Sequence, residues 1–497
     1  MVEVRVAQGV LRGNQRAGVF RFRGMPYAAP PVGELRWAPP AAPASWSGVR
    51  DATQFGHAAI QTVDNGAELG AEPNEDCLTV NVWSPTLDAG ARLPVMVWIH
   101  GGGFLNWSAS MKLWHGSELA RRGVVLVSFN YRLGAFGFFA HPEAGGNFAV
   151  QDWVAALRWV ARNVSAFGGD PGNVTVFGQS AGGTAVRTLL GTPSARGLFH
   201  RAILQSGGFE PGAGLPDTVR EGVGLASGAL RERLGGGDLD RLRGLPVEAV
   251  RQASRALSGT AAPPGQVHTP LNLVWCPAAD GTVVGDDLSC WDADVPVLFG
   301  STEHEARFFI RPTGPLGAAP LDPAQSYPPE TVATMAKVLA GDRAEEILDR
   351  LGGGPYEALA ELYTAAVWSE PELASYRRFT DLGRTAFAYR FARVSPGNRR
   401  SGLLAHHCAE LPYVFGHLDP EQTDEVDART ANATLHAWTE FARTGVPCDP
   451  DGTPWPRTTA QEPRHTVIGD TVRAAALAPS PVTTSIHALR RTAAPRT

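Results

Sequence analysis

Residues 174–182 read VTVFGQSAG, and this stretch decides the fold of the 497-residue chain. The apolar and β-branched residues Val174–Phe177 predict a buried strand, and Thr184–Leu190 just downstream predict a helix. Between them, Gly178-Gln179-Ser180-Ala181-Gly182 fits the G-x-S-x-G pattern, in which a strand reverses sharply into a helix and exposes a serine hydroxyl. An ordinary glycine-rich turn is the competing interpretation. The flanking strand and helix favour a turn that presents Ser180 as a nucleophile.

The rest of the chain predicts a mainly parallel sheet covered by helices. Segments with the length and composition of buried strands recur along it, namely Leu93–Ile99, Val124–Phe129, Ala202–Leu204, Val295–Phe299 and Thr385–Phe391. From Val150 to Phe167, apolar residues recur every three or four positions, which predicts a helix with one buried face. The alternating pattern of Met1–Gly13 predicts a first strand. Strands that alternate with helices are typical of α/β proteins with helices on both faces of the sheet.

We expect one domain over residues 1–497. Two segments interrupt the pattern, at about 211–265 and 318–370, and their composition predicts short helices outside the sheet. Such helices would form cap-like insertions that shape a substrate pocket. The proline-containing tail from Ala474 is expected to fray after its last packed element.

A glycine-rich loop follows the strand Leu93–Ile99. It reads His100-Gly101-Gly102-Gly103-Phe104. Hydrolysis of an ester places negative charge on an oxygen in the transition state, and one fixed backbone donor to that oxygen is typically worth about 3–4 kcal/mol of barrier. Gly102 and Gly103 would supply two N–H groups, and Ala181, just after the serine, would supply a third. A phosphate-binding loop is the competing interpretation, but the loop lacks the G-K-[ST] signature.

A serine nucleophile needs a histidine base and an acid that orients it. In α/β hydrolases these residues follow the serine in the order Ser, acid, His, so the base should lie late in the chain. His406 and His407 meet that condition. The acid should follow a later strand, and Val295–Phe299 leads to Glu303 and Glu305. Spacing alone does not choose within either pair, and each such side chain taken singly is more often a surface or packing residue.

Composition and charge exclude several other classes of protein. Hydrophobic residues make up 43% of the chain and charged residues 19%, as in globular proteins, and the net charge of −5 attracts neither nucleic acid nor anionic lipid. No apolar run approaches the ~20 residues that span a bilayer, and the amino end lacks the apolar core of a secretion signal. The five cysteines fit neither a disulfide framework nor a zinc site. We therefore expect a cytoplasmic protein that binds no nucleic acid and no metal and has no membrane span; its oligomeric state stays open.

Two longer motifs resemble the type-B carboxylesterases, the family that includes para-nitrobenzyl esterases, carboxylesterases and cholinesterases. Residues Glu75–Pro85 read EDCLTVNVWSP and are similar to the family's E-D-C-L-x-x-N-[VIL] segment. Residues Phe167–Gly182 begin FGGDP and resemble its active-serine signature. Weaker similarities extend from near residue 4 to about residue 456. The resemblance implies the α/β-hydrolase fold, hydrolysis of small-molecule carboxylic esters through an acyl-enzyme, and no cofactor.

The resemblance also chooses within the two open pairs. In the family the acid stands five positions after a strand-ending glycine, which is Glu305 here, and the base stands in an H-x-x-E motif, which is His407 here. The implied catalytic triad is Ser180, Glu305 and His407, with an oxyanion hole formed by Gly102, Gly103 and Ala181.

Other positions are implied to support the triad or the fold. Ser206 matches a serine that lies behind the triad in relatives, although an ordinary strand-end serine fits nearly as well. Gln179 stands where the family usually has Glu, which removes a charge beside the nucleophile. The pairs Arg36–Glu75 and Arg132–Asp170 resemble structural ion pairs of the family.

The same residues bear on three alternatives to a simple esterase. A catalytically silent member acting as a binding or scaffold protein would generally lack a triad residue, and all three are present. Choline-ester specificity is not expected, because ammonium binding favours a Trp face and residues 59–74, where cholinesterases carry that Trp, contain no aromatic residue. A lipase or a carbamate hydrolase would use the same triad, so these alternatives stay open.

Overall fold

Thirteen strands form one central sheet in the computed structural model, which describes residues 1–61, 66–210, 215–258, 273–285, 293–310, 327–351 and 353–493. They are β1 Val2–Val6, β2 Gly9–Arg16, β3 Val19–Pro26, β4 Val49–Asp51, β5 Thr79–Ser84, β6 Leu93–Ile99, β7 Val125–Phe129, β8 Gly169–Gln179, β9 Arg201–Gln205, β10 Val297–Thr302, β11 Ala386–Phe391, β12 Arg464–Ile468 and β13 Val472–Ala476. They pair in the order β1-β2-β3-β5-β7-β6-β8-β9-β10-β11-β12-β13, with β4 beside β2. All neighbours from β7 to β12 are parallel, which confirms the predicted mainly parallel sheet.

Three strands differ from the sequence-based expectation. The prediction of a single strand over Met1–Gly13 is wrong, because the chain turns after Val6 and β1 and β2 form an antiparallel hairpin. Strand β8 begins at Gly169, five residues before the apolar run that predicted it. Strand β10 continues to Thr302, so Gly300 lies inside the strand and does not end it.

Helices cover the sheet on both faces. Those in the described residues are Gly66–Leu69, Ser117–Arg121, Gly134–Phe138, Phe148–Asn163, Ala181–Leu190, Leu215–Arg233, Leu239–Arg243, Val247–Leu257, Pro329–Ala340, Ala344–Arg350, Pro355–Thr364, Glu370–Asp381, Pro396–Arg400, Leu411–Val414, Glu425–Thr444 and Pro481–Ala493. The predicted helix from Val150 is confirmed, although its last four residues, Val164–Phe167, form a 3-10 turn.

The sheet has a hydrophobic core on each face. Because side chains alternate along a strand, Val95 and Val97 of β6 point to one face and Met96 and Trp98 to the other. The helix Phe148–Asn163 packs on the first face through residues such as Leu157. The helix Glu425–Thr444 packs on the second face through Leu435, Trp438 and Phe441. This double layer holds the carboxyl ends of the parallel strands in fixed positions.

The two segments expected to form helices contain them, whereas the tail has more regular structure than predicted. Several of the helices above lie within 211–265 and 318–370, although parts of both segments, and Cys290, lie outside the described residues. The expectation of a fraying tail is wrong from Ala474 to Ala493, because β13 is followed by a helix that buries Val482 and Ile486. In the described part of the chain, no helix has the length and apolar character needed to cross a bilayer.

One of the two expected ion pairs forms. Arg36 Nε lies 2.7 Å from Glu75 Oε1, and both side chains are buried. Arg132 instead binds Asp152, with Nη2 2.7 Å from Oδ1. The expected partner Asp170 binds Arg92 at the surface. The prediction failed because Asp152, on the helix Phe148–Asn163, meets Arg132 in the buried interior, whereas Asp170 lies at the amino end of β8.

Candidate active site

The serine motif forms the turn between β8 and the following helix. Ser180 adopts φ 58° and ψ −125°, a conformation that residues with a side chain rarely adopt. Its N–H donates to Gln205 O at 2.8 Å, which ties the turn to β9. The turn requires glycine on both sides: a Cβ on Gly182 would lie 2.0 Å from Ile99 O, and one on Gly178 would lie 2.4 Å from the carbonyl of Gly182. The small residues of the motif therefore follow from close contact between backbones.

The glycine loop after β6 lies against Ser180. A Cβ on Gly101 would lie 3.1 Å from Ser180 Cβ. Gly102 and Gly103 have φ of +92° and +64°, the left-handed region that glycine favours. Among the described residues, the N–H groups of Gly102, Gly103 and Ala181 donate to no protein acceptor. These three donors are therefore available to a substrate oxygen beside the serine.

His100 anchors the start of that loop. Its Nδ1 lies 3.0 Å from Gly101 O, and its carbonyl accepts a hydrogen bond from the Tyr131 hydroxyl at 2.8 Å. Burial lowers the pKa of His100 to about 4, so its ring is neutral at physiological pH. Its contacts give it a structural role.

Glu305 and His407 lie in direct contact. Glu305 Oε2 is 2.5 Å from His407 Nδ1, and Glu305 Oε1 accepts the N–H of Thr302 at 2.8 Å. The second bond orients the carboxylate towards the imidazole. Glu303 is exposed, and His406 Nδ1 lies 2.6 Å from the carbonyl oxygen of His407. The structure thus joins Glu305 to His407, whereas Glu303 and His406 lie outside this contact.

The other imidazole nitrogen faces the residue before the serine. His407 Nε2 lies 3.1 Å from Gln179 Nε2. Because Nδ1 faces a carboxylate and carries the proton, Nε2 accepts a hydrogen bond from the amide. Within the described contacts of the site, no hydrogen bond joins His407 to the Ser180 hydroxyl. The resemblance implies that Gln179 lies beside the nucleophile without a charge; in the structure its amide occupies the side of the imidazole that faces the serine turn.

Buried polar groups lie behind Glu305. Glu410 Oε1 accepts a hydrogen bond from Gln205 Nε2 at 3.2 Å. Burial and the nearby carboxylate of Glu305 raise the pKa of Glu410 to about 8, so this acid is mostly neutral near pH 7. Ser206 is buried, and its N–H donates to Gly300 O at 2.8 Å. Glu410 is the last residue of the H-x-x-E motif that begins at His407. The motif therefore marks a second buried acid of the site, to which the sequence assigned no role.

Aromatic rings enclose the imidazole of His407. The ring centroids of Phe309, Trp368 and Phe308 lie 5.0, 5.6 and 5.9 Å from it. Trp368 lies in a π-helical turn and donates its indole N–H to Ser206 O at 3.1 Å. These rings limit the movement of the imidazole and shield it from water. The sequence did not single them out, because a Trp in a helical segment looks like any core residue.

Comparison with known proteins assigns the family. The family model described as the carboxylesterase family matches residues 1–484. The chain is 37% identical to a phenmedipham hydrolase of Pseudarthrobacter oxydans, over 93% of this chain and 94% of the relative. It is 34% identical to a para-nitrobenzyl esterase of Bacillus subtilis, over 93% of each chain. A fumonisin B1 esterase of Sphingopyxis macrogoltabida is 34% identical, over 88% of this chain and 81% of the relative.

Solved structures agree with the sequence relatives. A PNB esterase superimposes with a TM-score of 0.81 at 31% identity, over 97% of this chain and 99% of that chain. A carboxylesterase of Geobacillus stearothermophilus superimposes with a TM-score of 0.80, also at 31% identity and with the same coverage. This chain therefore belongs to the carboxylesterase family, has the α/β-hydrolase fold and is a carboxylic ester hydrolase.

Proposed function

We propose that Ser180, Glu305 and His407 form the catalytic triad of this esterase. The 2.5 Å contact between His407 Nδ1 and Glu305 Oε2 carries the proposal. It fixes the proton on Nδ1 and leaves the lone pair on Nε2, the state a general base requires. The 3.1 Å contact with Gln179 supports it further, because it directs Nε2 to the turn that bears Ser180.

The reaction proceeds through an acyl-enzyme. His407 takes the proton of Ser180 Oγ while Oγ attacks the carbonyl carbon of the ester, and the resulting oxyanion accepts hydrogen bonds from Gly102, Gly103 and Ala181. Collapse of this intermediate breaks the bond to the alcohol oxygen, which receives the proton from His407. Water then gives a proton to His407 and attacks the acyl carbon, so that the acid leaves and Ser180 regains its proton.

Gln179 is proposed to yield its place during this cycle. For the first proton transfer, His407 Nε2 exchanges the Gln179 amide for the Ser180 hydroxyl. Catalytic hydrogen bonds often form fully only when substrate is bound. The amide can then rotate so that its oxygen faces the protonated imidazole. The NH2 group in the same place would be unfavourable, because it is a donor facing another donor.

The substrate is proposed to be a small-molecule ester. The relatives are named as a phenmedipham hydrolase, a para-nitrobenzyl esterase and a fumonisin B1 esterase, which supports a chemically broad class of small-molecule substrates. A lipase or a carbamate hydrolase with the same triad remains the second candidate. The cytoplasmic location and the cap-like role of the two insertions also stay predictions, the former supported by the free thiols of Cys77, Cys276, Cys408 and Cys448.

Substitution and labelling of the serine test the proposal. Ser180→Ala should lower kcat for a short-chain para-nitrophenyl ester by about 10⁶-fold and leave the circular dichroism spectrum unchanged. A fluorophosphonate should label the parent on the peptide that contains Ser180 and leave the variant unlabelled. Substantial turnover or labelling in the variant would show that another residue is the nucleophile.

A substrate panel separates the candidate functions. Short-chain esters, triacylglycerol emulsions and aryl carbamates are compared by kcat/KM with the parent and Ser180→Ala. An esterase gives its highest value with soluble esters. Faster turnover of emulsions or of carbamates would assign the second candidate instead.

A further inference from the structure

A π-helical turn, Ala365–Ser369, carries the tryptophan that packs against the proposed base. The ring centroid of Trp368 lies 5.6 Å from that of His407, and its indole N–H donates to Ser206 O at 3.1 Å. Trp368 also stacks on Phe309, whose centroid lies 5.0 Å from the imidazole. Because Trp368 is buried among these close-packed groups, its position depends on the turn that carries it.

The backbone of this turn cannot satisfy all of its own carbonyl groups. In a π-helical turn the carbonyl of one residue bonds to the N–H five residues later, and the N–H of Glu370 donates to Ala365 O in this way. The next carbonyl, Ala366 O, would need the N–H of residue 371. That residue is Pro371, which has no N–H. Because Ala366 is buried, its carbonyl needs a donor from elsewhere in the protein.

Arg490 supplies that donor from the helix Pro481–Ala493, which we call the clamp helix and which packs against the turn. Arg490 Nη2 donates to Ala366 O at 2.7 Å, and Nη1 pairs with Glu370 Oε2. The planar guanidinium can make both contacts because its donors form a rigid fork. One side chain thus joins a carbonyl inside the turn to the carboxylate of the residue just after it.

The carboxylate of Glu370 in return fixes the clamp helix. Its side chain is only 4% exposed, and a carboxylate buried to this extent needs a counter-charge and hydrogen bonds. His487, three residues before Arg490 and on the same helix face, lies with Nδ1 2.9 Å from Glu370 Oε1. Val482 and Ile486 bury the apolar side of the helix in a hydrophobic cluster. The clamp helix is therefore held by both charge and packing.

These contacts form a continuous path from the clamp helix to the imidazole. We propose that Arg490 is a positioning residue of the esterase, which acts through the π-helical turn and Trp368 to hold the imidazole of His407 in its catalytic orientation. This role rests on the triad proposed above. A displaced base slows the chemical step and leaves binding of the ester unchanged, so Arg490 affects kcat and not KM.

Arg490→Leu removes both contacts of the guanidinium. It should lower kcat for a short-chain para-nitrophenyl ester by about 10- to 100-fold and leave KM within about twofold of the parent. We express kcat per active site titrated with a fluorophosphonate, so that a purely structural loss of folded protein does not count as a loss of rate. Arg378→Leu changes an exposed arginine of the helix Glu370–Asp381 and is the matched control, with parental kcat expected. Parental kcat per site in Arg490→Leu would overturn the proposal.

Arg490→Lys is a second variant in case Arg490→Leu does not fold. Lysine keeps the counter-charge for Glu370, but its ammonium group is a single point and does not reproduce the fork that also reaches Ala366 O. The value of kcat per site should therefore still fall, by about threefold or more. Parental kcat in this variant would overturn the proposal in the same way.

A double-mutant cycle tests the path through the tryptophan. Trp368→Phe keeps a ring but removes the N–H that binds Ser206 O, and the double variant Trp368→Phe/Arg490→Leu should lose less kcat than the product of the two single losses. Multiplicative losses would show that Arg490 acts by another route and would contradict the proposal. His407→Ala separates this proposal from the triad. Retained turnover in that variant would overturn both, whereas an inactive His407→Ala together with parental kcat in Arg490→Leu would overturn only the role of Arg490.

Discussion

Two glutamates two positions apart differ completely in their surroundings. Glu305 is fully buried against His407, whereas Glu303 is exposed. Glu305→Gln should lower kcat/KM for a short-chain ester by about 10⁴-fold, because an amide does not stabilise the protonated imidazole or hold its tautomer. Glu303→Gln is the matched control and should retain parental kcat/KM. Comparable losses in both variants would show that Glu305 does not orient the base.

Glu410 is expected to make stability depend on pH. Its pKa is raised from the model-compound value of 4.5 to about 8, so between these values the unfolded chain has lost a proton that the folded chain keeps. Stability therefore falls as pH rises through this window, by about 1.4 kcal/mol per unit for one proton. In Glu410→Gln this contribution disappears. The variant should gain stability relative to the parent between pH 5 and pH 8 in denaturant titrations; a constant difference would contradict a neutral Glu410.

The loop after β6 needs glycine because its backbone folds closely onto itself. A Cβ on Gly102 would lie 2.2 Å from Asn106 O, so Gly102→Ala must displace the loop and with it the proposed oxyanion donors. The expected loss in kcat is about 10²–10³-fold. Gly18→Ala is a control, because Gly18 also has a positive φ of +79° but has open space around it. If both variants lose activity equally, general strain rather than the loop is responsible.

Elements were predicted well where local pattern decides them. Strand β6 has the predicted bounds, and the helix from Phe148 follows its apolar repeat. The hairpin β1–β2 and the amino-terminal extension of β8 were missed, because backbone pairing with neighbouring strands sets their limits. The π-helical turn that carries Trp368 also gave no sequence signal.

The packing of the whole molecule decides which charges can pair. Arg132 and Asp152 are both buried between the sheet and its covering helix, whereas Arg92 and Asp170 lie near the surface. Asp152→Asn leaves a buried arginine without its counter-charge and should cost about 3–5 kcal/mol of unfolding free energy. Asp170→Asn should cost no more than about 1 kcal/mol. Denaturant unfolding of both variants measures the difference, and equal losses would contradict the assigned pairing.

The sequence alone determined the strand–turn–helix unit around Ser180, the glycine loop and the parallel sheet. These features depend on short-range rules: strands and helices need periodic apolar residues, and crowded turns need glycine. The resemblance of the sequence to the type-B carboxylesterases also indicated Glu305 as the acid and His407 as the base.

Only the tertiary structure brought Glu305 and His407, 102 residues apart, into contact, and only it placed Gln179 on the imidazole. It also decided that Arg132 pairs with Asp152. Such contacts depend on how the strand ends meet when the sheet packs as a whole, and no local pattern records that arrangement.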